Sequence, residues 1–154
     1  REYWEQNQIN RRLSLTQLVE IAVGHLDREE QKLCEANQFL FTDTNAITTY
    51  MFSLYYHGKA DSKLNKLALN AAHRYDLTFL CEVDITYDNT WDRSGETHRK
   101  IFQKQIIADL TLRKIPFFRL SGTLEQRIEK VSRVLDRFTK YGNLADLFSF
   151  GIKT

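Results

Sequence analysis

No Gly-x-x-x-x-Gly-Lys-Ser/Thr segment occurs in the sequence, and Gly24, Gly58, Gly95 and Gly122 stand too far apart to build any other glycine-rich phosphate loop. Cysteine is nearly as scarce: Cys34 and Cys81 have no metal-ligand spacing and no histidine arranged beside them as for a cysteine nucleophile. They read as reduced thiols of a cytoplasmic protein. No apolar run approaches the length of a membrane span, and the first residues lack a signal-peptide core. Charge of one sign is also lacking. A net charge of +2 gives no reason to expect nucleic acid or a membrane surface as partner. The only proline, Pro116, punctuates little. Repeats, low-complexity tracts and linkers are absent, so residues 1–154 read as a single domain of ordinary globular composition.

What is present is alternation. Ser14-Leu15-Thr16-Gln17 has the form of a capping box. Leu15, Leu18, Val19, Ala22, Leu26 and Leu33 then follow at helical spacing, predicting an amphipathic helix to about Glu35. Phe39 to Thr42 has no polar alternation and predicts a strand covered on both faces, as in a parallel sheet. A helix from Ala46 to Tyr56 follows, with Gly58 at its C-cap. Asp61-Ser62 starts the next helix, buried through Leu64, Leu67, Ala68, Ala71 and Ala72. Leu77 to Cys81 is a second buried strand, 85–96 a polar loop, and Thr97 to Arg113 a helix. Ile115 to Leu120 is a third strand, with Pro116 at its tolerated beginning. Thr123-Leu124-Glu125-Gln126 opens a last helix with Leu124, Ile128, Val131, Leu135 and Phe138 as its apolar face, and residues 141–154 form a tail. Such alternation predicts an α/β fold with a parallel sheet. Three strands are few for it, which together with the absent initiating Met predicts missing chain.

The chemistry gathers at predicted strand ends. Asp43 ends the first strand, and Glu82 and Asp84 end the second. In an open parallel sheet those ends line the ligand crevice. Asp43 reads either as a cap of the next helix or as a carboxylate orienting a metal ion or a substrate hydroxyl. Arg93, His98, Arg99 and Lys100 follow in and after the loop. Acids below mobile cations suit phosphoryl transfer, in which cations neutralise the transferred group, although loop arginines are commonly no more than solvated. Trp91 either stacks on a flat ring or anchors the loop. Asp84 and Asp88 read equally as turn residues, and His25, His57 and His73 as surface or packing residues.

Together these segments resemble a known family. Phe39-Leu40-Phe41-Thr42-Asp43-Thr44-Asn45 with Thr48-Thr49 is similar to the Phe-Ile-Asp-Thr-Asp…Thr-Thr segment of the NadR-like nicotinamide riboside kinase domains, P-loop NTPases of AAA type. Arg1-Glu2-Tyr3, Tyr75-Asp76-Leu77, and Trp91-Asp92-Arg93-Ser94-Gly95 with Arg99 and Phe102-Gln103 match further motifs of that family in order, covering residues 1 to about 138. The resemblance implies a three-layer P-loop kinase-like fold whose N-terminal P-loop strand and helix precede Arg1 and are missing from this chain. It also implies ATP and Mg²⁺ as cofactors and phosphorylation of the ribose 5′-hydroxyl of a nucleoside, nicotinamide riboside first. Asp43 would then orient or deprotonate that hydroxyl and touch Mg²⁺. Arg93 and Arg99 would close over the phosphates from a lid at 85–100. Arg1, Glu2, Thr44, Asn45, Glu82, Trp91 and Asp92 would contact the substrate. Asn45 departs from the family's second Asp and so lacks its charge, and the lid is shorter. The competing expectations are an ATP- or GTP-binding regulatory module with little turnover, and a remnant without a P-loop that serves as an interaction domain.

Overall fold

The computed structural model describes residues 13–87 and 96–138. They fall into two compact units, one drawn from Arg1–Thr78 and Tyr87–Phe117, the other from Phe79–Thr86 and Phe118–Thr154.

The first unit is helical. Helix α1 spans Leu15–Leu33. The Ser14 hydroxyl accepts the Gln17 N–H at 3.2 Å, and the Gln17 side chain accepts the Ser14 N–H at 2.8 Å, so the capping box closes as predicted. Helix α2 is Ala46–His57, ended by Gly58 at φ 67°, a left-handed turn that glycine makes without steric cost. Helix α3 is Ser62–Ala71, started by Asp61, whose carboxylate accepts the Lys63 N–H at 2.7 Å. Helix α4 is Glu96–Leu112.

Their apolar stripes converge on two clusters. Leu18 and Ala22 of α1 meet Leu64 of α3. Ile47 and Met51 of α2 meet Ala68 and Ala71, flanked by Phe102, Ile106 and Ile115. Ala46 and Tyr50 border both clusters, so α2 is the helix the unit packs around. Leu64 is wholly buried, and such burial stabilises by about 2 kcal/mol. Alanines along α3 keep that helix close to α2, and the Phe52 and Phe102 rings stack at 4.6 Å where α4 meets α2.

The second unit holds the sheet. Strands β1 (Phe79–Cys81) and β2 (Phe118–Leu120) pair in parallel, with Phe79 opposite Phe118 and Cys81 opposite Leu120. Parallel strands need a crossover connection, and the chain between them contains α4. Helix α5 is Leu124–Arg137, opened by the Thr123/Gln126 capping box.

Four expectations change. Phe39 to Thr42 forms no strand: Phe39, Leu40 and Phe41 are 36%, 37% and 66% exposed and have no ladder partner among the described residues. An apolar run becomes a strand only where a neighbour supplies its hydrogen bonds, and periodicity carries no information about that neighbour. The other strands shrink for the same reason to the residues that pair, and Pro116 falls just outside β2. Cys81 is exposed rather than buried, so Leu80 alone of β1 faces a core. On α5, Leu124 and Ile128 of the predicted apolar face are 67% and 56% exposed, and the buried residue of that helix is Arg127. The tail at 141–154 and most of the polar loop lie outside the described residues.

Candidate functional site

The first unit concentrates its unusual chemistry where residues 40–44 approach α1. The chain reaches Asp43, bends through Thr44 and enters α2 at Ala46. Thr44 holds φ 63°, a left-handed conformation in which a β-branched residue is strained by about 1–3 kcal/mol. The bend is held from its far side. The Asn45 side-chain oxygen accepts the N–H groups of Ile47 at 2.9 Å and Thr48 at 3.3 Å, and the Thr49 hydroxyl donates to the Asn45 carbonyl at 3.2 Å. Asn45, not Asp43, is therefore the cap of α2. Where the resemblance has an acid, the neutral amide here is occupied by backbone donors. Asn45→Ala is expected to cost about 0.5–2 kcal/mol, read as a lower denaturant midpoint at unchanged slope.

Relieved of the cap, Asp43 is exposed and makes no hydrogen bond or ion pair among the described residues. It lines a cavity of about 250 Å³ together with Thr42, Thr44 and, from α1, His25, Arg28, Glu29 and Lys32. A neighbouring cavity of about 200 Å³ shares His25 and Glu29 and is closed by Arg74 and Tyr75.

Glu29 is the fixed point between the two cavities. It is 8% exposed and fully partnered, accepting from Arg74 Nε at 2.9 Å and from the Tyr75 hydroxyl at 2.9 and 3.0 Å. Arg74 also reaches Glu30 at 2.8 Å. A buried carboxylate is tolerable only with such company. Burial and then the Glu29 carboxylate push the Tyr75 phenol far above its ordinary range, so Tyr75 acts as a hydrogen-bond donor and not as a base. Burial, and next the charge of Arg28, pull the His25 pKa below its ordinary value, and its Nδ1 is buried without a hydrogen-bond partner among the described residues.

His25 and Glu29 do not stand out from the sequence as site residues. One signal was available for Glu29: it lies seven residues after Ala22, on the buried stripe of α1, where a carboxylate has to find a partner. For His25 no comparable signal exists.

The remaining sequence-derived candidates belong to several segments. Thr44 lies beside Asp43 at the cavity. Arg99 sits half-buried in the first turn of α4, and its neighbour His98 bonds through Nδ1 to the Tyr55 hydroxyl. Glu82 belongs to the second unit, where it pairs with Arg119. Asp84 there accepts the Gly122 N–H at 2.6 Å and pairs with Arg127. Its role is therefore a tether between the segments that follow β1 and β2. Arg1, Glu2, Trp91, Asp92 and Arg93 lie outside the described residues, as does half of the 85–100 lid. Among the described residues no group of three or more His, Cys, Asp or Glu side chains is arranged to hold a metal ion. No described helix is long and apolar enough to cross a membrane.

The unpartnered Asp43 does suit Mg²⁺, which binds through one or two carboxylates, substrate phosphates and water rather than an all-protein cage. Residues 1–127 match the family described as an AAA domain. No curated protein and no solved structure matches the chain.

Proposed function

Because this chain belongs to the AAA domain family, whose members are P-loop proteins that bind nucleotide with Mg²⁺, we propose that it forms the acceptor side of an ATP-dependent nucleoside kinase. The acceptor is the ribose 5′-hydroxyl, and nicotinamide riboside is the first substrate to test, as the resemblance of the Asp43 segment and the lid motif implies. One observation carries the reading. Asp43 is a carboxylate at a cavity, beside the strained Thr44, with its capping duty taken by Asn45. Strain of that kind persists at positions where the surroundings enforce a functional geometry.

In this reading Asp43 orients the 5′-hydroxyl by accepting its hydrogen bond and takes its proton as the phosphoryl group transfers. Asp43 would be the residue that holds Mg²⁺ bound with ATP, and the ion would supply neutralisation of the phosphate charge. Arg93 and Arg99 cover the phosphates, and Trp91 stacks on the base. Arg1, Glu2 and Asp92 contact the nucleoside.

The test is phosphate transfer by the full-length protein that carries this chain, given ATP, Mg²⁺ and nicotinamide riboside. The expected result is nicotinamide mononucleotide formed mole for mole with ADP. If ATP binds and no nucleoside is phosphorylated, the kinase reading fails and a nucleotide-binding regulatory module takes its place.

A further inference from the structure

Tyr75 follows the turn that ends α3, and its hydroxyl serves two partners. Its proton goes to Glu29, whose carboxylate oxygens lie at 2.9 and 3.0 Å. The Asn45 side chain also bonds to this hydroxyl and works against the rise in its pKa, as a donor to the phenol oxygen does. The donor is Nδ2, because Asn45 Oδ1 already accepts from Ile47 at 2.9 Å and Thr48 at 3.3 Å. Packing places the ring at the same helix start. Tyr75 lies against the cluster of Ile47, Met51, Ala68 and Ala71, and it lines one small cavity together with Glu29 and Ala46.

Asn45, Tyr75, Glu29 and Arg74 thus form one line of bonds between the start of α2 and α1. Its far end is fixed, since Glu29 is buried and Arg74 holds it at 2.9 Å. A connected network of this kind specifies one arrangement of the groups it joins. That arrangement matters at Thr44, the residue before Asn45. Thr44 holds φ 63°, from which a β-branched residue relaxes toward extended backbone unless its surroundings oppose it. One buried hydrogen bond is of the same order as that strain, so the Tyr75 hydroxyl is able to decide which conformation the bend adopts. Asp43 precedes Thr44 in the chain, and a change of the bend redirects its carboxylate.

We propose that Tyr75 is a positioning residue: held by Glu29, its hydroxyl pins the Asn45 amide, keeps Thr44 in its left-handed bend and so aims Asp43 at its cavity. The inference rests on the reading of Asp43 as the group at the acceptor hydroxyl. Tyr75 itself stays out of the reaction and acts through Asn45.

The experiment is steady-state phosphate transfer from ATP to nicotinamide riboside by the full-length protein, comparing wild type, Tyr75→Phe, Asp43→Asn and the double variant. Phenylalanine keeps the ring against Ile47 and Met51 and removes only the hydroxyl. The expected result is that Tyr75→Phe lowers kcat about tenfold and leaves KM within about twofold, since a misaimed group costs rate rather than binding. In the Asp43→Asn background the same change should have no further effect on kcat, because the group it aims is gone. A hydroxyl that only stabilises the fold lowers kcat by the same factor in both backgrounds, or in neither while the unfolding midpoint falls. Both of those results overturn the proposal. Asn45→Ser is the second variant. Serine keeps an oxygen for the helix start and loses the amide N–H groups, so it should reproduce the loss of kcat. Adding Tyr75→Phe to it should cost nothing more, and additive losses in that pair overturn the link through Asn45. Wild-type protein without transfer overturns the proposal together with the reading of Asp43. Transfer that falls with Asp43→Asn and ignores Tyr75→Phe overturns the proposal alone and leaves Asp43 in place.

Discussion

Asp43→Asn is expected to lower the rate of nucleoside phosphorylation by roughly 10²–10⁴-fold, the usual contribution of a positioned acid–base group. The substitution keeps the shape of the side chain and removes its charge and its ability to accept a proton. Its effect on stability should stay within about 0.5 kcal/mol, because surface groups without partners contribute little to the fold. Asp43 is such a group, being exposed and unbonded among the described residues. The loss should fall on kcat rather than KM, since the interaction strengthens only as the hydroxyl becomes a nucleophile. Steady-state kinetics beside a denaturant titration separates this result from a folding defect. Turnover unaffected by Asp43→Asn removes Asp43 from the reaction. The contrast with Asn45→Ala is informative, because the two residues lie two positions apart and have different signatures. Asn45 serves the start of α2 and should register in stability, whereas Asp43 should register in rate alone.

Arg127→Met is expected to destabilise the second unit by about 2–4 kcal/mol, the scale for removing one member of a buried ion pair and leaving its acceptors unpaired. Arg127 is 6% exposed and donates to the Gly122 carbonyl at 2.9 Å, to the Leu120 carbonyl at 2.9 Å, and to the Asp84 carboxylate. Methionine fills much of the volume, but Leu120 and Gly122 lose a donor, and the short parallel pair loses the clamp across its ends. Hydrogen exchange of the β1, β2 and α5 amides in the full-length protein reads this locally. Exchange there should accelerate while α1 to α3 keep their protection.

The same tether has a pH dependence. The Gly122 N–H first, and the Arg127 guanidinium with it, hold the Asp84 carboxyl below its ordinary range. A carboxyl whose pKa is lower in the fold adds stability that is complete above its unfolded value and is lost as pH falls through the folded one. Acidification should therefore loosen β1 and β2, and Asp84→Asn should remove that part of the acid sensitivity. Protection of these amides that does not change with either substitution would mean the tether carries no stability.

The helices were readable in advance because their signals are local. Ser14 with Gln17 and Thr123 with Gln126 close their boxes within a single turn, and Gly58 ends α2 as its conformational freedom suggests. The stripes of Leu18 and Ala22, of Ile47 and Met51, and of Leu64, Ala68 and Ala71 bury as the 3.6-residue period requires. Asp43 was also visible in the chain, as an acid closing an apolar run. What the chain alone left open was whether it served as a cap, and hydrogen bonds to Asn45 decide that.

Everything else depended on partners distant in sequence. Whether Phe39 to Thr42 forms a strand turns on a neighbour, and the segment itself cannot specify one. Arg127 and Asp84, separated by a whole helix and a strand, look like solvated charges until the parallel pairing of β1 and β2 brings their loops together. Glu29 gains its meaning from Arg74 and Tyr75, and the cavity at Asp43 takes its other wall from α1. Helical periodicity is written into neighbouring residues. The burial of a charge, the pairing of a strand and the lining of a cavity are properties of pairs, and folding chooses the pairs.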